Sequence, residues 1–275
     1  MGTLYVVATP IGNLEDTTLR AIRVLGACDL VLAEDTRRTR VLLEHHGISA
    51  RPRSLHAHNE AHRVREVLAC LEGGGRAALV SDAGTPLISD PGERLVAAAR
   101  EAGHRVEPLP GASAVLAALV GSGLPATPFT FLGFLPRRAG ARDARLAELA
   151  GRAETLVLFE SPRRLPATLA ALARALGPRR ACVARELTKL HETFEHGRLD
   201  ELAERLAEGV RGEVTLVVEG AAEAPALSDG ALDTAVAALL AEGRSPRQVA
   251  EALAARSGRP KREVYRRALE LRDGA

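Results

Sequence analysis

A run of four polar residues, Glu34, Asp35, Thr36 and Arg37, follows a short apolar segment and contains the groups that acid–base chemistry needs. The carboxylates of Glu34 and Asp35 could orient a hydroxyl group, and the guanidinium of Arg37 could hold a phosphate. The same pattern is typical of a helix start, with Asp35 or Thr36 as the N-cap and Arg37 in solvent. Spacing alone favours the helix start and leaves the catalytic interpretation open.

A second polar stretch, residues 185–192, reads RELTKLHE. It contains Lys189, one of only two lysines in the chain, close to Glu186. These two side chains are suited either to an ion pair with each other or to contacts with a substrate. The sequence does not decide between the two interpretations.

Histidine and cysteine give no convincing metal-site pattern. His56 and His58 have an HxH spacing, but no third ligand matches it, and Asn59 after them indicates a helix cap. The cysteines stand far apart without a CxxC pair, which fits a reducing compartment and predicts no disulfide framework or zinc site. They are Cys28, Cys70 and Cys182.

Four turns rich in glycine and proline follow strand-like segments, at residues 9–14, 81–92, 109–114 and 159–164. Turns after strands are where open α/β sheets bind ligands. None has the GxGxxG or GxxxxGKS/T pattern, which disfavours hydride transfer and nucleotide hydrolysis, and no GxSxG elbow occurs. Gly84 and Gly111 permit close backbone approach, while Asp82, Thr85 and Ser113 supply a few polar groups. These turns therefore predict a nucleoside-like ligand held through backbone atoms.

Apolar runs of strand length alternate with segments of helical periodicity as far as residue 218. This alternation predicts an α/β fold with mostly parallel sheets. A connection rich in glycine and proline, residues 121–128, suggests a boundary between two α/β halves. We expect an N-terminal α/β domain at 1–122, a C-terminal α/β domain at 123–222, and a small basic helical region of three helices at 228–275.

The composition is that of a globular protein, with 275 residues, 46% hydrophobic and 26% charged. No apolar stretch approaches the roughly 18 residues of a membrane span, so we expect a cytoplasmic protein without membrane contact. Net charge is only +2, yet residues 244–272 carry nine arginines and lysines against three glutamates, a local +6. This excess suggests a polyanionic partner, although an arginine-rich, solvated helix is the simpler interpretation.

Seven segments, in order and at their spacings, resemble the ribosomal RNA small subunit methyltransferase I family of the tetrapyrrole methylase superfamily. They are TPIGNLED, AEDTRRT, SDAGTPLISDPG, PGASA, GFLPRR, FESPRR and RELTKLHE. The resemblance implies S-adenosylmethionine-dependent 2′-O-methylation of a cytidine ribose in 16S rRNA, near the decoding site. It also implies two α/β domains with the cofactor in the cleft between them, a homodimer, and 16S rRNA or the small ribosomal subunit as partner.

The resemblance also assigns cofactor-binding roles, and the backbone argument adds Gly84 to them. The residues are Pro10, Ile11, Gly12, Asp82, Gly84, Thr85, Ile88, Ser113, Ala114, Phe159 and Glu160. Candidates for accepting or orienting the ribose proton are Glu34, Asp35, Glu160, Glu186 and Lys189, with Arg37 as a phosphate contact. Two other functions stay open: a small-molecule, tetrapyrrole-like methyltransferase of the same superfamily, and a non-catalytic RNA-binding assembly factor.

Overall fold

The computed structural model describes residues 2–56, 59–222 and 227–273. The chain forms two compact units, Met1–Ala221 and Ala222–Ala275. The first unit holds two five-stranded sheets, and the second holds helices. The sheets use residues on either side of the predicted boundary after residue 122, which stays a prediction.

The first sheet is parallel throughout its described pairs. Its strands are β1 (Thr3–Val7), β2 (Leu30–Ala33), β3 (Arg53–Ser54), β4 (Arg76–Val80) and β5 (Arg105–Leu109), in the order β3-β2-β4-β1-β5. The helices are α1 (Leu19–Gly26), α2 (Thr36–His45), α3 (Glu60–Glu72), α4 (Glu93–Glu101) and α5 (Ala114–Gly121). Leu32 and Ala77 are fully buried and belong to one apolar cluster, so central strands read as continuous apolar runs.

The second sheet is mixed. Its strands are β6 (Phe129–Phe134), β7 (Thr155–Glu160), β8 (Arg180–Arg185), β9 (Thr193–Arg198) and β10 (Val214–Val218), in the order β6-β7-β10-β8-β9. Only β6 and β7 pair in parallel, and the other three pairs are antiparallel. The helices are α6 (Ala139–Leu149), α7 (Leu165–Leu176) and α8 (Leu199–Arg205).

The expectation of mostly parallel sheets is therefore right for the first sheet and wrong for the second. The connection from β8 to β9 spans only residues 186–192, too few for the crossover that parallel neighbours need. Because β10 runs against β7 and β8, its amino end lies at the same sheet edge as their carboxyl ends. Residues just before β10 therefore join the turns after β7 and β8.

The second unit contains the three predicted helices, α9 (Asp229–Ala241), α10 (Pro246–Ser257) and α11 (Lys261–Asp273). A capping box between Ser245 and Gln248 begins α10, with Pro246 in the first turn, and Gly258 ends it in a left-handed conformation. Leu232, Val249 and Val264, one from each helix, lie in a shared buried cluster. In the described part of the chain, no helix has the length and apolar character needed to cross a membrane.

Candidate active site

A cavity of about 470 Å³ lies where turns from both sheets of the first unit meet. That volume is in the range of small-molecule and cofactor pockets. The first sheet contributes Ile11 after β1, Glu34 and Arg38 after β2, residues of the 82–90 turn after β4, and residues 113–115 after β5. The second sheet contributes Phe134, residues 159–162 at the end of β7, Leu187 after β8, and residues 212–215 at the start of β10.

Most of the residues predicted to bind a cofactor line this cavity. They are Ile11, Asp82, Gly84, Thr85, Ile88, Ser113, Ala114, Phe159 and Glu160. Pro10 and Gly12 do not line it. Gly12 instead lies against the turn after β8, where an added Cβ would be 2.5 Å from Lys189 Cγ and 2.8 Å from the Leu187 carbonyl oxygen.

Two turns of the first sheet are bonded to each other at the cavity. Thr9 and Gly84 exchange backbone hydrogen bonds of 2.9 Å in both directions. The Thr9 hydroxyl donates to the Ser81 carbonyl, and the Ser81 hydroxyl donates to the Gly84 carbonyl. Gly84 has φ +79, and a Cβ there would lie 3.3 Å from Ile11 Cγ2. The positive φ favours glycine at this position, and an added Cβ would also be in tight contact with the neighbouring turn.

One wall of the cavity is acidic. Glu34, Asp82 and Asp90 line it, with Arg38 as a nearby cation. Asp82 Oδ1 accepts a 2.8 Å hydrogen bond from the Asp35 backbone N–H, and Asp82 Oδ2 lies 3.9 Å from Arg38 Nε. Burial, followed by repulsion from Asp82, raises the pKa of Glu34. Burial, followed by repulsion from Glu34 and Asp82, raises the pKa of Asp90 to about 6.

Asp35 and Arg37 form a helix start outside the cavity lining. Asp35 is the N-cap of α2 and accepts from the Arg37 backbone N–H at 2.9 Å. Its two carboxylate oxygens also accept from Arg37 Nε at 3.0 Å and Nη2 at 2.7 Å. Hydrogen bonds from Arg37 lower the pKa of Asp35 to about 2. The Arg37 side chain is 86% exposed, so this is the capped, solvated arrangement that spacing favoured.

The carboxylate of Glu160 is buried and fully engaged. Oε1 accepts from the Ser161 backbone N–H at 2.8 Å, and Oε2 accepts from the Thr168 hydroxyl at 2.6 Å. Arg164 Nε lies 3.3 Å from Oε1. This carboxylate therefore fixes the turn between β7 and α7, although the residue also contributes to the cavity wall.

Glu186 and Lys189 form a network beside the cavity rather than in its lining. Lys189 Nζ donates to Glu186 at 2.9 Å and to Glu213 at 3.1 Å, and the Glu213 backbone N–H donates to Glu186 at 2.8 Å. The backbone hydrogen bond from Glu213, followed by that from Lys189, lowers the pKa of Glu186. Gly212, with φ +87, leaves no room for a Cβ next to the Glu186 carboxylate. The network fastens the turn after β8 to the start of β10.

Sequence reasoning missed several cavity residues: Arg38, Asp90, Leu187 and residues 212–215. Asp90 lay within the 81–92 turn already singled out, and Arg38 follows the polar run by one residue. The start of β10 carried no usable signal, because its position depends on antiparallel pairing.

The structure describes only part of the His56–His58 pair, and it describes the predicted helix cap at Asn59. His58 lies outside the described residues, and across the rest no group of three His, Cys, Asp or Glu side chains is placed to hold a metal ion. Asn59 precedes α3, but its side chain bonds to Ser54 and to the His56 backbone N–H rather than capping the helix.

Comparison with known proteins points to one family. Residues 3–203 match the family described as Tetrapyrrole (Corrin/Porphyrin) Methylases. A protein named Ribosomal RNA small subunit methyltransferase I from Mesorhizobium japonicum is 48% identical over 273 residues, covering 98% of this chain and 92% of the relative. Another of that name, from Micromonospora olivasterospora, is 50% identical over 267 residues, covering 96% and 85%.

Solved structures give the same fold. Uroporphyrin-III-C-methyltransferase from Thermus thermophilus has a TM-score of 0.58 at 25% identity, covering 80% of this chain and 94% of that one. A Thermus thermophilus uroporphyrin-III C-methyltransferase complexed with S-adenyl homocysteine has a TM-score of 0.54 at 23% identity, covering 79% and 97%. At that identity the second similarity supports the fold.

The chain belongs to the tetrapyrrole methylase family, a class of methyltransferases built on two α/β sheets. Within that class its relatives of nearly full length place it in the ribosomal RNA small subunit methyltransferase I family, which confirms the resemblance in the sequence. S-adenosylmethionine is accordingly the cofactor.

The cavity fits that cofactor. Gly84 lets the turn after β4 pack against Ile11 and Ala112 at the cavity wall, and Gly111 lets the turn after β5 approach the end of β1, since a Cβ there would be 2.9 Å from Ala8 Cβ. Ile11, Val115 and Leu187 give an apolar lining, and the acidic wall suits a cation.

Proposed function

We propose that this chain transfers a methyl group from S-adenosylmethionine to the 2′-oxygen of a cytidine ribose in 16S rRNA, near the decoding site of the small ribosomal subunit. The names of the relatives support rRNA as the acceptor. The observation that carries the proposal is a cavity to which turns of both sheets contribute, with carboxylates on one wall. The nucleotide and the atom follow from the family resemblance.

The bound cofactor supplies a methyl group on a positively charged sulfur. The protein has to hold the cofactor and the ribose in line, and orientation of this kind lowers a barrier by several kcal/mol. The bonded pair of turns at Thr9 and Gly84 fixes one side of the cavity, and the Glu186–Lys189–Glu213 network fixes the other. Nine of the predicted cofactor residues line this fixed space, and we assign them that role.

The proposal includes a homodimer and small-subunit RNA as partners. Leu116 and Val120, one turn apart on α5, are 53% and 74% exposed. Paired apolar side chains of this kind are typical of surfaces that oligomers bury. Sedimentation equilibrium of the purified chain should give twice the monomer mass of 29.1 kDa, and Leu116→Glu should lower it.

The test of function combines binding and transfer. Calorimetry should show S-adenosylmethionine binding, and the chain should then transfer a labelled methyl group to 30S particles from a strain lacking the gene. A 2′-O-methyl group blocks alkaline cleavage at its own nucleotide, so one gap in the hydrolysis ladder of 16S rRNA should appear at a cytidine. Transfer to a tetrapyrrole instead of RNA would favour the small-molecule alternative, and RNA binding without any transfer would favour an assembly factor.

A further inference from the structure

We propose that Asp90 is the group that accepts the proton of the ribose 2′-hydroxyl. The inference rests on the proposed function and names a catalytic residue within the same cavity. It differs from every candidate that the sequence suggested.

The other candidate carboxylates are already engaged by protein groups. Asp35 is held by Arg37 and lies outside the cavity lining, while Glu160 accepts hydrogen bonds through both oxygens. Glu186 is bound to Lys189 and to the Glu213 backbone. Asp82 accepts from the Asp35 backbone. Each of these carboxylates therefore accepts at least one hydrogen bond from a protein group.

Asp90 differs from all of them. It lines the cavity, is half-buried, and has no hydrogen-bond or ion-pair partner among the residues that the structure describes. Leu87 and Ser89 lie just before Asp90 and both have φ +74, a backbone conformation that residues other than glycine rarely adopt. Residues in such sparsely populated backbone conformations cluster at functional sites. Asp90 therefore faces the cavity from a strained turn and carries no protein partner within the described part of the chain.

Glu213 also lines the cavity, but its carboxylate accepts from Lys189 Nζ at 3.1 Å. Of the two carboxyls left, Glu34 and Asp90, only Glu34 has a cation, Arg38, among the charges that act on it. Glu34, from the turn after β2, and Asp82, from the turn after β4, repel the ionised form of Asp90, and burial is the larger cause of its raised pKa of about 6. The nearby cation, Arg38, acts on Glu34 and lies 3.9 Å from Asp82. A proton acceptor works best when its pKa lies near the working pH, and Asp90 meets that condition.

The step balances without any further reactant. The ribose O–H bond breaks and its proton passes to Asp90 while the oxygen forms a bond to the methyl carbon. The carbon–sulfur bond breaks at the same time and leaves its electron pair on sulfur. The sulfonium thereby loses its positive charge and the Asp90 carboxylate its negative charge. The protonated Asp90 then releases its proton to water.

The test is a crossed pair of variants with a matched control. Asp90→Asn keeps the size of the side chain and removes the acceptor, so kcat on 30S particles should fall by about 10²- to 10⁴-fold. Glu34→Gln removes one repelling charge, so the acidic limb of the kcat–pH profile should move to lower pH. Glu93→Gln alters an exposed carboxylate at the start of α4, outside the cavity, and should leave the profile in place.

Two further measurements do not depend on turnover. Binding of S-adenosylhomocysteine to Asp90→Asn by calorimetry reports whether the cavity is intact. In protein with ¹³C-labelled aspartate, the carboxyl resonance that the variant lacks should titrate near pH 6, and Glu34→Gln should lower that midpoint.

The outcomes separate cleanly. If the wild type is active and the kcat of Asp90→Asn is within twofold of it, the inference is overturned and the proposed function stands. The same holds if Glu34→Gln loses turnover while Asp90→Asn only shifts the kcat–pH profile. If Asp90→Asn does not bind S-adenosylhomocysteine, the pH titration of the Asp90 carboxyl resonance in the wild type decides. A titration midpoint in the ordinary aspartate range overturns the inference. A wild type that methylates no RNA overturns the proposed function and the inference together.

Discussion

The backbone N–H of Asp35 donates a 2.8 Å hydrogen bond to Oδ1 of Asp82, which ties the turn after β2 to the turn after β4. The bond joins residues 47 positions apart at the edge where the parallel strands end. Both turns contribute to the acidic wall, so the cavity depends on a contact that leaves the Asp35 side chain free to cap α2.

Removing the Asp82 side chain should therefore loosen two turns at once. Asp82→Ala deletes a hydrogen bond to a charged acceptor, and we expect a loss of about 1.5–3 kcal/mol in the free energy of unfolding. Affinity for S-adenosylhomocysteine should fall as well. Asp82→Asn keeps an oxygen acceptor at the same place and serves as the control, with a smaller loss in urea denaturation.

Alanine substitutions at Gly84 and Gly74 distinguish the effect of backbone strain from the effect of contacts at the cavity. They have φ values of +79 and +81, but an added Cβ meets Ile11 and Ala112 at Gly84 and nothing within 4 Å at Gly74. Gly84→Ala and Gly74→Ala should each lose about 1–2 kcal/mol of stability in urea. Only Gly84→Ala should also weaken cofactor binding by calorimetry. Equal cofactor affinity in the two variants would remove the turn after β4 from the binding site.

Arg37→Ala tests the phosphate contact. Its ion pair with Asp35 is exposed to solvent and contributes little, so stability and cofactor affinity should hardly change. If the exposed guanidinium holds an RNA phosphate, KM for 30S particles should rise several-fold at unchanged kcat. If the steady-state kinetics do not change, the Arg37 side chain serves only its ion pair with the N-cap residue Asp35.

The charge of the helical unit is largely paired within the unit. Arg244, Arg259, Lys261, Arg266, Arg267 and Arg272 each have an acidic neighbour. Arg247 and Arg262 have no ion-pair partner among the residues described. We expect Arg247→Ala and Arg262→Ala each to reduce the salt slope of RNA binding by about 0.7–0.9. Arg267→Ala, which breaks a pair with Asp233, should lower the thermal stability of the unit with no change of slope.

The raised pKa of Asp90 also predicts a pH dependence of stability. In the folded protein this carboxyl binds a proton up to about pH 6, whereas in the unfolded chain it releases the proton near the ordinary value of 3.8. Its contribution to stability is therefore favourable at low pH and is lost as pH rises from about 4 to 6. Asp90→Asn should be more stable than the wild type at pH 8, by roughly 1 kcal/mol since the side chain is only half-buried. Urea denaturation at pH 4 and pH 8 checks the sign.

Local pattern was sufficient for the strands and turns that hold most of the cavity. Two of the apolar runs that alternate with helical segments in the sequence are residues 4–8 and 155–159, and they coincide with β1 at Thr3–Val7 and β7 at Thr155–Glu160. In both cases burial of consecutive apolar side chains dictates the element. By contrast, β9 has the sequence TFEHGR, with few apolar side chains and a glycine, so its strand structure comes from pairing with β8.

The candidate site was predictable where a single turn determines its shape, as at Gly84. Asp90 was not predictable, because its proton affinity is raised first by burial and then by repulsion from Glu34 and Asp82, and both effects depend on how the fold packs the turns together. Asp35 shows why residue type alone left two interpretations open: it suits both a helix start and acid–base chemistry, and the fold adds the contact of Arg37 with both of its carboxylate oxygens.

Gly12 has a consequence for the evolution of the cavity. Its missing side chain lets the backbone of the first turn rest on residues 187–189 of the other sheet. At this edge the two sheets approach each other as closely as main-chain atoms allow, and any side chain at position 12 would force them apart. A lining residue such as Phe134, by contrast, can change to suit a different acceptor without disturbing this contact.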